Sequence, residues 1–354
     1  MKKFLFSAAA VFASVVGYIC FLSVLQSCDT SSKKEKSEIF VEHDTEIELF
    51  SSTGELACSD NYLAVSGSEI PVELYSLPDM KKHTTYGSIG QGPEEFLLPM
   101  LAFAEDREIG VNDLKSQSLT LLSIREDKDS LSLSNRQRLV SDEGRSNSVR
   151  SFIRIGKDHY AGVIAQKSGE FFALADSNLH TVGYFGESPV DDPSLSTFAS
   201  RMRLGNCRTA SFGDSFVYST RDLPFLAKYH LENGSMVRDW SLYFDKTYYE
   251  VRDGDLLFSK ESTFGQVMSV QMDHEYIYVL YLDQLISEYD YGNSEKSQAN
   301  KILVFNYQGE QVSTLKLDCR IDRMALCRKR NLLFGIANLP EPTLVRFNLP
   351  KDMK

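Results

Sequence analysis

Residues 61–77 read Asn61-Tyr62-Leu63-Ala64-Val65-Ser66-Gly67-Ser68-Glu69-Ile70-Pro71-Val72-Glu73-Leu74-Tyr75-Ser76-Leu77. Two short runs of apolar and aromatic residues flank a Ser/Gly/Pro turn, the pattern of neighbouring antiparallel strands. The same pair recurs five more times. Its first members are Arg107–Val111, His159–Val163, Ser215–Tyr218, Tyr276–Leu280 and Asn331–Gly335, and the six starts lie 46 to 61 residues apart. Its second members are Ser118–Ile124, Glu170–Ala175, Pro224–Tyr229, Lys301–Tyr307 and Thr343–Phe347. A further apolar stretch precedes each pair: Glu55–Cys58, Met100–Phe103, Phe152–Ile155, Arg208–Phe212, Val267–Met272 and Met324–Cys327. A fourth strand follows the first five pairs, as in Thr181–Phe185 and Gln311–Leu317.

Four strands in six units, with no sustained 3.6-residue apolar period, predict an all-β chain folded as a six-bladed β-propeller of four-stranded antiparallel blades over residues 45–354. A pair of two-sheet sandwiches is the alternative, and the chain ends favour the ring. The sixth unit stops at Phe347-Asn348-Leu349-Pro350 after its third strand, while Glu46-Ile47-Glu48-Leu49-Phe50 is a strand without a unit. An N-terminal strand that completes the sixth blade closes the ring and removes an open edge. Blade 2, over roughly residues 100–140, is charged and weakly patterned, so its boundaries stay open.

The N-terminus reads as an export signal. Lys2 and Lys3 precede an almost wholly apolar run, Phe4–Leu25, and small Ser27 stands before Cys28. This order predicts a bacterial lipoprotein signal peptide over residues 1–27, with Cys28 becoming the lipidated first residue, bearing palmitate-type acyl chains, in the cell envelope, on the outer membrane. The alternative is a signal anchor retained as a transmembrane helix, since about 20 apolar residues span a bilayer. Residues 28–44 follow as a tether. Its polar run Asp29–Glu38 has nothing to bury, which predicts flexibility.

The net charge is −11, and loss of Lys2 and Lys3 with the signal makes it −13. Nucleic-acid binding is excluded as an expectation, because phosphates demand a basic stripe. Adhesion of the protein surface to anionic headgroups is disfavoured too, which leaves anchoring to the acyl chains. Beyond Cys20 and Cys28 the cysteines are Cys58, Cys207, Cys319 and Cys327. Their irregular spacing and apolar surroundings read as free thiols, with two disulfides as the alternative, and the absence of a CxxC pair argues against zinc.

The stretch Tyr86-Gly87-Ser88-Ile89-Gly90-Gln91-Gly92-Pro93-Glu94-Glu95-Phe96-Leu97-Leu98-Pro99 resembles the Gly-x-Gly-Pro-x-Glu-Phe-x-x-Pro segment of NHL-like and TolB-like six-bladed propeller lipoproteins of Bacteroidetes. Gly90, Gly92, Pro93, Glu95 and Phe96 carry the likeness. The other five blades lack clear copies. The resemblance implies the propeller and an envelope setting, and it implies no defined chemistry.

Motif readings toward catalysis fail on context. Gly90-Gln91-Gly92-Pro93 is not followed by the helix that a phosphate loop needs, so its glycines are expected to supply positive-φ turns, with Glu94 and Glu95 accepting hydrogen bonds from a neighbouring blade. Gly213-Asp214-Ser215-Phe216 resembles the start of a hydrolase block. It occupies the same repeat position as Gly156–His159 and Asp273–Glu275, which makes it a turn between the first and second strands of a blade, and no Gly-x-Ser-x-Gly elbow exists. His43, His83, His159, His180, His230 and His274 form no His-Glu-x-x-His or close pair, so they read as solvated or turn residues, and no catalytic residue, metal or cofactor is assigned.

Loop length is more informative. The long segments Gly186–Asn206, Asp239–Gly265 and Asp283–Asn300 all belong at one end of a propeller. They carry Phe198, Arg201, Arg203, Trp240, Tyr243, Tyr248, Tyr249, Arg252, Tyr289 and Tyr291, among the acids Asp191, Asp192, Asp253, Asp255, Glu288 and Asp290. Aromatic and Arg residues on scaffolded loops are typical anchors for a protein or glycan partner. Grouped carboxylates suit Ca²⁺, but Asp253-Gly254-Asp255 lacks the spacing of a calcium loop. The sequence therefore predicts a lipid-anchored, non-catalytic binding or scaffolding module that uses its long-loop face. The competing class is a propeller lyase or hydrolase with its site at the mouth of the central channel.

Overall fold

The computed structural model describes residues 37–49, 53–105, 107–127, 130–142, 149–164, 169–195, 200, 203–259, 266–285 and 298–350. The predicted signal peptide and Cys28 lie outside them. Blade 1 is built from β3 (Thr53–Cys58), β4 (Tyr62–Gly67), β5 (Val72–Ser76) and β6 (Lys81–Tyr86). A two-residue parallel pair, β7 (Ser88–Ile89) and β8 (Glu95–Phe96), leads into blade 2. That blade comprises β9 (Pro99–Glu105), β10 (Glu108–Asp113), β11 (Ser118–Asp127) and β12 (Ser130–Val140), so the weakly patterned region is a complete blade with long outer strands. Blade 3 holds β13 (Val149–Ile155), β14 (His159–Ile164), β15 (Glu170–Ala175) and β16 (Thr181–Glu187). Blade 4 holds β17 (Cys207–Phe212), β18 (Ser215–Thr220), β19 (Phe225–Glu232) and β20 (Ser235–Tyr243). A hairpin, β21 (Tyr249–Arg252) and β22 (Asp255–Phe258), precedes blade 5, which has β23 (Gln266–Met272), β24 (Tyr276–Leu282), β25 (Ala299–Asn306) and β26 (Gln311–Ile321). Blade 6 takes β27 (Arg323–Cys327), β28 (Leu332–Asn338) and β29 (Pro342–Asn348) from the C-terminus.

Its fourth strand comes from the other end of the chain. β2 (His43–Glu48) pairs antiparallel with β29, Ile47 opposite Leu344, and closes the ring as predicted. One feature departs from the expectation. Residues 37–44, read as tether, are strand: β1 (Ser37–Val41) runs parallel to β26 as a fifth strand on blade 5, with Ser37 opposite Ser313 and Val41 opposite Leu317. The reason is an alternation that the polar run hid. Ile39 and Val41 turn inward, Val41 joins the core between blades 5 and 6, and Glu38 and Phe40 face solvent.

Burial explains why the strand pairs stood out. The second strand of a blade is covered on both faces by its neighbours, so β10 and β24 are almost continuously buried and read as unbroken apolar runs. The fourth strand meets solvent, and β20 is mostly exposed. Six hydrophobic clusters fill the six blade interfaces. The interface between blades 3 and 4 is aromatic, with Phe172 stacked on Phe185 at 5.2 Å and edge-on to Phe216 at 5.0 Å, a geometry that adds about 0.5–1.5 kcal/mol per pair beyond burial. Inner strands β3, β9, β13, β17, β23 and β27 touch in turn and return to β3, so they surround the axis.

Candidate functional site

Each blade is a meander from the axis outward, so the linkers between blades emerge at one end and the turns between first and second strands at the other. At the linker end, the two described long segments pack on each other. The Ser200 hydroxyl accepts from the Leu256 N–H at 2.9 Å and donates to Asp255 Oδ1 at 3.3 Å. Asp253 and Gly254, both at positive φ, make the tight turn of the β21–β22 hairpin, the Asp-Gly signal of a two-residue hairpin.

The predicted binding residues divide sharply there. Arg203 is held in place, ion-paired to Asp222 and lying 4.4 Å over the Phe258 ring. Trp240 and Tyr243 belong to strand β20 rather than a loop. Trp240 packs into the interface of blades 4 and 5 and donates Nε1–H to the Tyr307 carbonyl at 2.8 Å, so it is a structural residue. Tyr243 donates its hydroxyl to the Pro189 carbonyl at 2.6 Å and keeps 44% of its surface exposed. Tyr248 and Tyr249 are exposed at 57% and 38%, and Arg252 is exposed beside Glu250 at 3.6 Å. Phe198, Arg201, Tyr289 and Tyr291 lie outside the described residues, as do Glu288 and Asp290. The acids serve local turns where described: Asp192 accepts from the Ser194 N–H at 2.9 Å.

The family motif also sits at the linker end, with a different logic from the one expected. Gly90 and Gly92 are not at positive φ, whereas Gly87 is, at 82°. Glu95 turns back into its own loop instead of toward another blade and accepts the Gly92 N–H at 2.6 Å. Phe96 anchors the loop, 2% exposed and edge-on to Tyr86 at 6.5 Å. Behind it, Asp113 accepts the N–H groups of Leu97 and Leu98 at 3.1 Å each.

The opposite end holds a cavity of about 1390 Å³. First-to-second-strand turns from all six blades line it: Ser59 and Asp60, Glu105 with Arg107 and Glu108, Gly156 to His159, Phe212 to Asp214, His274, and Arg328 with Lys329. Those of blades 3, 4 and 5 are the turns that the sequence placed at equivalent repeat positions. Ring closure brings them around one mouth.

Charge pairs shape that mouth. Arg154 meets Glu105 at 2.7 Å and Glu108, donates to the Tyr160 hydroxyl at 3.2 Å, and lies 4.3 Å over Phe103. Burial opposes its charge, and these partners more than restore it, holding its pKa above the ordinary arginine value. Glu108 also takes Arg136, and Lys329 takes Asp60 at 2.5 Å. Arg328 spans three blades: Nε donates to the Met272 carbonyl and Nη2 to the Ser211 carbonyl, both at 2.9 Å, with the guanidinium 4.9 Å from the Phe212 ring. Burial lowers its pKa from the ordinary value. Arg107, Lys157 and Arg328, like the lining acids Asp158 and Asp214, have no opposite charge within ion-pair distance among the described residues, so the wall presents unneutralised groups of both signs.

One other group of potential ligands exists among the described residues. His43, Asp318 and Cys319 bring their ligand atoms within 4.8 Å on the outer edge of blades 5 and 6. Both His43 nitrogens are engaged there, Nδ1 with Asp318 at 2.8 Å and Nε2 with Glu46 at 2.6 Å, which reads as a bridge from β2 to β26.

Comparison with known proteins agrees with this architecture. The family model described as TolB-like 6-blade propeller-like matches residues 64–326. The chain belongs to that family. No curated protein matches the sequence. Among solved structures, Raptor of Chaetomium thermophilum is similar at a TM-score of 0.49 and 9% identity, covering 88% of this chain and 29% of that one. The Cps50 (Swd1) β-propeller domain of Myceliophteria thermophila is similar at 0.49 and 11%, covering 88% of this chain and 100% of that one. This chain thus spans less than a third of the first of these. Among the described residues no helix is long and apolar enough to cross a membrane.

Proposed function

We propose that the protein is a non-catalytic binding module, exported by residues 1–27, anchored in the outer membrane through a lipid on Cys28, and seating its partner at the short-turn mouth of the propeller. The mouth cavity is the observation that carries this reading. A volume of about 1390 Å³ exceeds the roughly 300–1,000 Å³ of small-molecule pockets and suits a segment of a larger partner. Exposed Lys157 and His274, with Arg107 and Arg328, favour a partner that presents an anionic group. Three of the five carboxylates that line the mouth, Asp60, Glu105 and Glu108, are engaged with Lys329, Arg154 and Arg136. That supports binding over catalysis.

The exposed aromatic group Tyr243, Tyr248 and Tyr249 supports a second contact surface at the linker end, and the two surfaces separate by mutation. Cross-linking in intact cells, followed by identification of what is captured, is run with the wild type, Lys157→Glu/His274→Ala and Tyr248→Ser/Tyr249→Ser. Loss of capture in the first variant alone is expected. Capture that survives it and is lost with the tyrosines transfers the site to the linker end, and full capture by both removes the proposal.

A further inference from the structure

Cys58 and Cys327 occupy the same place in two adjoining blades. Each ends the inner strand of its blade, β3 of blade 1 and β27 of blade 6, directly before the turn to the second strand. These two blades meet where the chain closes on itself. The two thiols share the core cluster where blades 1 and 6 meet and approach the same turn: Cys58 Sγ donates to the Ser59 carbonyl at 3.2 Å and Cys327 Sγ to the Asp60 carbonyl at 3.8 Å. The turn itself is gripped by blade 6, with Arg330 Nε donating to the Asp60 carbonyl at 2.8 Å and Lys329 on the Asp60 carboxylate. The backbone around the pair is therefore fixed.

We propose that Cys58 and Cys327 are a redox pair whose oxidation forms a disulfide between the first and last blades. The oxidant is a disulfide, small-molecule or protein-borne. Cys58 lines the mouth cavity, whereas Cys327 is fully buried, so exchange begins at Cys58. Its thiol attacks the incoming disulfide, one sulfur leaves as a thiol, and a mixed disulfide remains on Cys58. The Cys327 thiolate then attacks Cys58 Sγ and expels the second sulfur, which takes up the proton. Two cysteine thiols have been oxidised and one external disulfide reduced to two thiols. Burial holds the Cys58 thiol well above the ordinary cysteine range, so the first attack runs through a small thiolate fraction and quickens as pH rises.

The other two thiols are set apart by position. Burial pushes Cys207 and Cys319 up to about 12, as it raises Cys58, but they lie in different clusters, blades 3–4 and 5–6, away from the Cys58–Cys327 junction. The bridge would close a loop containing most of the chain, and constraint of so long a loop restricts the unfolded state most.

The pairing does not depend on where the protein resides, and its test is made in solution. The purified full chain is treated with oxidised glutathione, remaining thiols are blocked with N-ethylmaleimide, and peptides are mapped without reduction. A linked Cys58–Cys327 peptide is expected, with Cys207 and Cys319 alkylated after unfolding. The oxidised protein should melt roughly 5 °C higher than the reduced one, a gain removed by dithiothreitol and absent in Cys58→Ser and Cys327→Ser. Recovery of both cysteines as maleimide adducts, a glutathione adduct that persists on Cys58, or linkage of either to Cys207 or Cys319 would overturn the pairing.

Discussion

The carboxylate of Glu95 lies where a side chain on residue 90 would begin: an atom built at the Cβ position of Gly90 is 2.1 Å from Glu95 Oε2 and 2.5 Å from its Cδ. A side chain at residue 90 would have to push the Glu95 carboxylate off the Gly92 N–H, which it holds at 2.6 Å. Gly90→Ala is expected to lower stability by about 1–3 kcal/mol through overpacking. Glu95→Ala in the same chain should restore most of that loss. Urea denaturation of the two single variants and the double variant gives the coupling directly, and additive effects would show that Glu95 is not what excludes the methyl group.

Asp113 carries the other half of that loop. Its side chain is fully buried, and replacement by Ala leaves the Leu97 and Leu98 N–H groups without their acceptor and removes the ion pair of Arg138. A loss of about 3 kcal/mol is expected. Burial alone would raise its pKa, but N–H donors from Leu97, Leu98 and Ser116 lower it from the ordinary value. A lowered folded pKa contributes stability that is complete above the unfolded value of 3.8 and lost as pH falls through the folded one. Wild type should therefore lose more stability between pH 5 and pH 2 than Asp113→Asn does, measured by urea denaturation at each pH.

His43 titrates in the opposite sense. Burial lowers its pKa, yet hydrogen bonds to Asp318 and Glu46 outweigh it, and the net shift is upward from 6.5. Its contribution is then complete below the unfolded value and lost as pH rises through the folded value. Wild type should lose stability relative to His43→Gln on going from pH 5.5 to pH 8.5, by about half a kcal/mol after screening. A pH-independent difference between the two proteins would remove the ion pair from the closure of blade 6.

Trp240 separates scaffold from surface. Trp240→Phe breaks the hydrogen bond to the Tyr307 carbonyl at a cost of about 1–2 kcal/mol, and partner capture should be unchanged in the surviving folded protein. Reduced capture at full stability would return Trp240 to the binding face.

Two truncations divide the N-terminal strands. A chain that starts at residue 42 loses β1 and should keep a cooperative, ring-closed fold with a lower melting temperature. A chain that starts at residue 49 also loses β2, and it should aggregate, because β29 becomes an unpaired edge. Equal behaviour of the two chains in light scattering would show that β2 does not close the ring.

The architecture was legible because the buried second and third strands of each blade carry continuous apolar runs, and because Phe347 and Glu46 marked where the two ends meet. β1 was hidden by its composition: only Ile39, Phe40 and Val41 break a polar run, and their partner on β26 is distant in sequence. Trp240 and Arg203 look like surface anchors until their partners, Tyr307 and Phe258, distant in sequence, are brought beside them. The mouth had a signal that went unused. Charged turns at the same repeat position, such as Lys157-Asp158-His159 and Asp273-His274-Glu275, must face one axis once a ring is closed, and no single turn is conspicuous.

The order of β1 and β2 along the chain has a mechanical consequence. A load applied from the N-terminal side reaches Ser37 first and must strip β1 from Ser313–Leu317 before any force falls on the pairing of His43–Glu48 with blade 6. β1 is a fuse in series with the ring. Loss of its pairing leaves the β2–β29 closure of blade 6 in place, so a tug from the N-terminal side is met first outside the ring.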